Sequence, residues 1–313
     1  MSTVRIVTIV CWIIAALALI GLVIFFVTGS IFGFGAGRFG GNWSVGGISN
    51  FENLSGSFEV QGEHSVTDAR IDSININWTA GEITVQPHNG NDIRIIESAQ
   101  RELRSNEVLQ YSISGNTLII NFFESNSNIM RSAPRKNLEV LVPQALSESM
   151  DVLDVSTVSG NIDIFEITAN VLNCDSTSAR IGVSGSFNRA NLGNVSGSTA
   201  LNNMAENSIA DVDTVSGSTS LVGSFDRVSV SAVSGSTTIE SIIVPSSLDV
   251  SSVSGRVDIY VPDTGEAISV NHSSVSGGFD FSIPVLMQSG SAQFRISTVS
   301  GRATIQSLPG FSN

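Results

Sequence analysis

The sequence predicts an all-β fold: a single-domain β-solenoid of the parallel β-helix type, preceded by one N-terminal transmembrane helix. Three observations carry this. A Val-Ser-Gly triplet recurs at a near-constant interval, the residues flanking it alternate between apolar and polar, and the first 30 residues hold one long uncharged apolar run.

The apolar run comes first in the chain. Ile6 to Val27 contains 22 residues and no charge. At about 1.5 Å per residue a helix of this length spans about 33 Å, the thickness of a bilayer's hydrocarbon core. Cleaved signal peptides carry a shorter apolar stretch, of about 7–15 residues. Thr28-Gly29-Ser30 nevertheless offers a cleavage site, so a removed leader stays open beside the anchor. Arg5 and the α-amino group on one side, against Arg38 on the other, favour a cytoplasmic N-terminus and an extracytoplasmic remainder. The expected organisation is an anchor over 1–30, a Gly/Ser-rich linker over 31–50, irregular first coils and a cap over 51–150, and regular coils over 151–313.

The repeat emerges when the Val of each triplet is set to position zero. Zeros fall at Val158, Val195, Val215, Val233, Val253, Val275 and Val299, and the degenerate triplet Thr177-Ser178-Ala179 divides the one wide gap. Spacings are then 19, 18, 20, 18, 20, 22 and 24. A further Val-Ser-Gly at 183–185 is out of frame and aligns with a loop. Position +6 is apolar in all eight coils, from Ile164 to Ile305, and position −5 likewise from Leu153 to Phe294. Position −3 is apolar except at His272. Inward positions are odd before the triplet and even after it, a parity shift that requires a corner there. Gly160, Gly197, Gly217, Gly235, Gly255, Gly277 and Gly301 are the structural corners, since glycine reaches backbone angles closed to other residues. Farther upstream, IDSININWTAGEITVQ at 71–86 fits the same frame with Gly81 at +2. YSISGNTLIINF (111–122) and NLEVLVP (137–143) read as strands, and ESAQRELRSNEV (97–108) reads as a solvated loop.

These elements, in this order, resemble a family of bacterial β-strand-repeat domains known as adhesin-like or toastrack domains. The matching pieces are the opening strand IDSININWTAGEITV, the hairpin ending in NTLIINF, LEVLVP, and coils such as VSGNIDIF (158–165) and VSGRVDIY (253–260). The resemblance covers about residues 51 to 307. It implies a domain without established activity or agreed catalytic residues. Family members often sit behind a transmembrane segment, and some accompany envelope-stress sensing modules.

Charge and composition narrow the partners. The net charge is −13 with 15 basic residues, so nothing here neutralises a nucleic-acid backbone. Fourteen of those are Arg and only one, Lys136, is Lys. Cys11 and Cys174 are too far apart in context for a disulfide, and no zinc spacing exists. The outward position +5 holds Asp258 and Asp280 in consecutive coils, where carboxylates about 5 Å apart would suit acid–base chemistry or calcium. The plainer reading is a solvated strand face, with Arg256 and Arg302 nearby. Cys174 and His272, in the inward column, read as a small buried hydrophobe and a satisfied core histidine. His64 and His88 have no second ligand at metal spacing. No catalytic residue, cofactor, metal or small-molecule substrate is assigned. The reading is a non-enzymatic, membrane-anchored interaction or structural module of the cell envelope, bound to the membrane through residues 6–27 and to an envelope protein or glycan through its coils. A stress-system sensor is the alternative, and a carbohydrate-active β-helix enzyme the remote one.

Overall fold

The computed structural model describes residues 57–123, 134–287 and 293–308. Asn50–Asn313 forms one compact unit. The expected anchor and linker, over 1–50, lie outside the described residues. Among the described residues no helix is long and apolar enough to cross a membrane.

Sixteen strands and a single short helix build the described unit. The opening part holds β1 (Glu59–Val66), β2 (Ser73–Ala80), β3 (Ile83–His88), β4 (Ile93–Ala99), β5 (Gln110–Ser114), β6 (Thr117–Asn121) and β7 (Lys136–Pro143), followed by α1 (Gln144–Ser147). The coils follow as β8 (Met150–Ser159), β9 (Ile162–Ser178), β10 (Ile181–Ser196), β11 (Thr199–Ser216), β12 (Thr219–Ser241), β13 (Ser247–Val261), β14 (Ile268–Phe281), β15 (Val285–Met287) and β16 (Phe294–Ser307). The all-β expectation holds. The charged stretch 97–108 is divided: β4 claims it as far as Ala99, and the remainder is loop.

From β8 to β13 each strand pairs in parallel with the next, one repeat farther along. Column −5 meets column −5, as in Leu172↔Ala190↔Ala210↔Val228↔Leu248. Every residue of that column is buried, including Leu153, Val270 and Phe294. Each fully buried Val, Leu, Ile or Phe contributes about 1.5–3 kcal/mol, so one extra coil stabilises the stack through its inward quartet. The coil at 71–86 joins the same stack: β2 pairs with β8, and β3 with β9. Beyond it, β6 covers β2 and β7 covers β3, and the antiparallel strands β5, β4 and β1 finish this end.

The corner glycines are constrained in two ways. Gly197, Gly217, Gly235, Gly255 and Gly301 have positive φ, between 125° and 158°. Gly160 and Gly277 do not, which corrects the expectation that backbone angle alone demands glycine. What unites all seven is close stacking. A Cβ on any of them would fall within 2 Å of a carbonyl oxygen, as at Gly235 against Gly217 (1.8 Å) and Gly160 against Gly81 (1.9 Å).

The last coils depart from chain order. β16 lies between β13 and β14, giving the spatial order β13-β16-β14-β15. The register is kept, with Gly255↔Gly301 and Gly277↔Gly301 side by side. The C-terminal strand is thus interior to the stack, and β14 becomes its outer coil.

Substituting Gly235→Ala is expected to cost about 3 kcal/mol through the clash and the positive φ together. Gly265→Ala, also at positive φ (77°) but with nothing within 4 Å of its Cβ, is expected to cost about 1 kcal/mol or less. Denaturant melts of the two variants check the contrast.

Candidate interaction surface

Alternation along each strand leaves columns +5 and +7 on the outer surface of the arm that follows the corner. In register across β9 to β12 these are Asp163↔Gly182↔Ala200↔Ser220 and Phe165↔Ser184↔Asn202↔Val222. Small residues form the floor of the first row while larger ones stand in the second. The result is an open groove of about 460 Å³ across four coils.

Its chemistry concentrates at one end. Arg180 donates from Nη1 and Nη2 to the two carboxylate oxygens of Asp163 at 2.8 and 2.7 Å. The fork is thereby held over Gly182, and Phe165, 44% exposed, lines the same groove. The Arg180 backbone N–H is fixed by Asn161 Oδ1 at 3.2 Å. An exposed ring face, a paired carboxylate and guanidinium, and the Asn202, Ser184 and Ser220 polar groups together can stack on and hydrogen-bond a flat polar ligand. The groove lacks any nucleophile–base pair.

Asp258 and Asp280 are not brought together. Because β16 intervenes, both register with Thr304, which places them two strand spacings apart, about 9.6 Å, rather than side by side. Each has its own partner: Arg256 Nε lies 2.8 Å from Asp258 and Arg302 Nε 3.1 Å from Asp280. Thr304 Oγ1 also donates to Asp258 at 2.8 Å. Among the described residues no group of three or more His, Cys, Asp or Glu is gathered for a metal.

His272 departs from the core reading. It belongs to the outer coil, is half-buried, and stacks on Phe279 at 4.7 Å with its Nε2 unpartnered. Burial lowers its pKa. Cys174 is fully buried, and burial pushes its thiol well up. On the arm before the corner, burial and the carboxylates of Asp154 and Asp213 push Asp175 up to about 7.

The single lysine is the residue whose importance sequence reasoning missed. Lys136 is completely buried. Its Nζ lies 2.7 Å from Glu97 Oε1 and donates to the carbonyls of Glu107, at 2.5 Å, and Phe122. The rings of Phe122 and Trp78 flank it at 4.1 and 5.1 Å. Trp78 Nε1 donates to the Lys136 carbonyl at 2.8 Å, and Glu97 accepts the Leu109 N–H. Glu107 is held by Arg101 through two bonds of 2.7 and 2.9 Å. Burial drives the Lys136 pKa down to about 8, opposed by Glu97. All three ammonium protons are committed, so the cluster anchors β4, β6 and β7 over the first coil and leaves nothing for a reactant. The only available signal was its uniqueness: a chain that uses Arg at every exposed basic site keeps one Lys for a slot that needs a compact point charge.

A family model described as Toastrack DUF4097 matches residues 71–306. No curated protein matches the chain. Among solved structures it is similar to a "putative lipid binding protein" from Parabacteroides distasonis ATCC 8503, at 14% identity and a TM-score of 0.50, covering 81% of this chain and 97% of that one. It is also similar to "putative adhesins" from Bacteroides fragilis NCTC 9343 (12% identity, TM-score 0.40, 82% and 100% covered) and from P. distasonis ATCC 8503 (10%, 0.46, 81% and 98%). At such identities the first likeness concerns the fold alone.

Glu97→Gln keeps the acceptor for Leu109 but strands the ammonium, and is expected to destabilise the fold by about 3–5 kcal/mol. Adding Lys136→Met should recover most of that loss, measured by chemical denaturation. Asp175 carries a second expectation. A carboxyl whose folded pKa is raised stabilises fully below its unfolded value of 3.8, and that contribution is lost as pH rises through about 7. Asp175→Asn should therefore melt above the parent at pH 8, by the equivalent of about 1 kcal/mol after solvent screening. It should also show a flatter Tm profile between about pH 5 and 8.

Proposed function

The chain belongs to the Toastrack DUF4097 family, and we propose that it is a non-enzymatic, membrane-anchored binding module of the cell envelope whose ligand is an extended glycan laid along the β9–β12 groove. The observation that carries this reading is the open groove itself, lined by exposed Phe165 and the bidentate Asp163–Arg180 pair. Sugar rings present one apolar face and a rim of hydroxyls. An aromatic ring takes the face, and planar charged groups take adjacent hydroxyl pairs. A groove open across parallel coils accepts a chain of such units without enclosing it. The apolar run at 6–27 supplies the anchor, and Arg5 supports a cytoplasmic N-terminus with the coils outside.

Two measurements test the proposal. Binding of the full chain to solubilised envelope polysaccharide is expected to weaken about tenfold in Phe165→Ala, a loss of about 1.4 kcal/mol. Equal binding by parent and variant would remove the groove from consideration. For topology, Ser229 is exposed, and Ser229→Cys should react with a membrane-impermeant thiol reagent on intact cells, while buried Cys174 stays silent. Labelling only after permeabilisation would place the coils in the cytoplasm and overturn the envelope assignment.

A further inference from the structure

We propose that the outer face of the stack carries a second glycan-binding platform, built from Tyr260, Asp258 and Arg256 on β13, and that one glycan chain spans it and the β9–β12 groove. This deepens the glycan reading of the groove and rests on it. Column +7 holds an aromatic residue in only two of the eight coils, at Phe165 and Tyr260. In both, the residue two places earlier is an aspartate, Asp163 or Asp258. In both, an arginine of column +3 holds that aspartate: Arg180 of the next coil at 2.7 Å, and Arg256 of the same coil at 2.8 Å.

Register puts the two platforms on one line. The outward +5 row runs Asp163↔Gly182↔Ala200↔Ser220 from β9 to the first lap of β12, and Thr238↔Asp258 from the second lap of β12 to β13. The two laps of β12 stack on each other: the Ile242 N–H donates to the Gly223 carbonyl at 2.9 Å, and Gly235 closes on Gly217. Asp163 and Asp258 are therefore five strand spacings apart, ~24 Å. Between them the row carries nothing larger than Thr238, so the floor of the groove continues along it to β13.

The second platform offers the chemistry of the first. Ile259 and Val261 are buried, so Tyr260 between them points outward, and it is half-buried. It lies in register between Glu240 and Gln306. The ring can cover the apolar face of a sugar, the phenol adds a donor, and the adjacent carboxylate and carboxamide can take hydroxyls. Asp258 is fixed from two sides: Arg256 Nε donates to its Oδ1 at 3.0 Å, and Thr304 Oγ1 donates to the same oxygen at 2.8 Å. Charge cancels within each arginine–aspartate pair, and the net charge of −13 disfavours a polyanion, so the occupant is a neutral glycan. Once one platform is filled, contact with the other is intramolecular. A chain long enough to span both then binds more tightly than a fragment on either.

The test uses the full chain in detergent and two probes: solubilised neutral envelope polysaccharide, intact and cut by partial hydrolysis into fragments shorter than the ~24 Å span. Tyr260→Ala is expected to bind the intact polysaccharide about tenfold more weakly, as Phe165→Ala does, and the double variant about 100-fold more weakly. Tyr260→Phe keeps the ring and should stay within about twofold of the parent. Thr238→Arg raises a side chain on the floor between the platforms. It should weaken the intact polysaccharide about tenfold and leave fragment binding as it was. Circular dichroism spectra should be unchanged throughout. If Phe165→Ala weakens binding while Tyr260→Ala matches the parent, the second platform is overturned and the groove reading stands. If Thr238→Arg binds the intact polysaccharide like the parent, the single spanning ligand is overturned. If neither aromatic variant weakens binding, both readings fall.

Discussion

At every corner but that of Ala179 a glycine lies so close to the corner carbonyl of a neighbouring coil that no Cβ fits, and this contact governs how the coils stack. Gly217 sits on Gly197, Gly235 on Gly217, Gly255 on Gly235 and Gly301 on Gly255, each with its hypothetical Cβ under 2 Å from a carbonyl oxygen. At about 4.8 Å between coils, these seven bends leave no room for a side chain. With the bend held in register, columns −5 and +6 are forced into alignment above and below. The core is the consequence of that alignment rather than its cause. Ala179 replaces glycine in one coil, and it is there that the triplet loses its Val-Ser-Gly form.

The two ends of the stack solve opposite problems. At the first coil, an apolar core would be left open beneath β2 and β3. Parallel β6 and β7 close it with antiparallel β5, β4 and β1 outside them, and Lys136, Glu97 and Glu107 tie these strands to Trp78 and Phe122. A buried ion pair of this kind adds little net stability against an apolar substitute, but removing one partner is costly. It therefore fixes which strands meet more than how firmly they hold. At the far end no such cap is present among the described residues. The outer coil presents half-exposed Phe281 against Phe279, on which His272 stacks.

The insertion of β16 between β13 and β14 links these features to the surface chemistry. It separates Asp258 from Asp280, brings Arg302 to Asp280 while Asp258 keeps Arg256 of its own strand, and places Thr304 between them. The groove lies elsewhere, over β9 to β12. There Gly182, Ala200 and Ser220 leave room beside Phe165 and the Asp163–Arg180 pair.

The frame of this molecule is readable in the chain itself, because it depends on local rules. Period-two alternation marks the buried columns from Leu153 to Ile305, and the parity change marks the corners. Gly81 could be placed in the same register before any contact was seen. What local rules do not reach is the order of coils in space. β13, β14 and β16 carry the same pattern, and Leu248, Val270 and Phe294 would fit any neighbour among them, so alternation is blind to which stacks on which. The same blindness hides the groove: nothing in the spacing of Asp163, Arg180 and Phe165 says that three small residues will clear the space beside them. It hides Lys136 too, since a lysine's charge ordinarily argues for solvent. Only folding brings Glu97, two backbone carbonyls and two aromatic rings around it, and that assembly is what makes a buried ammonium tolerable.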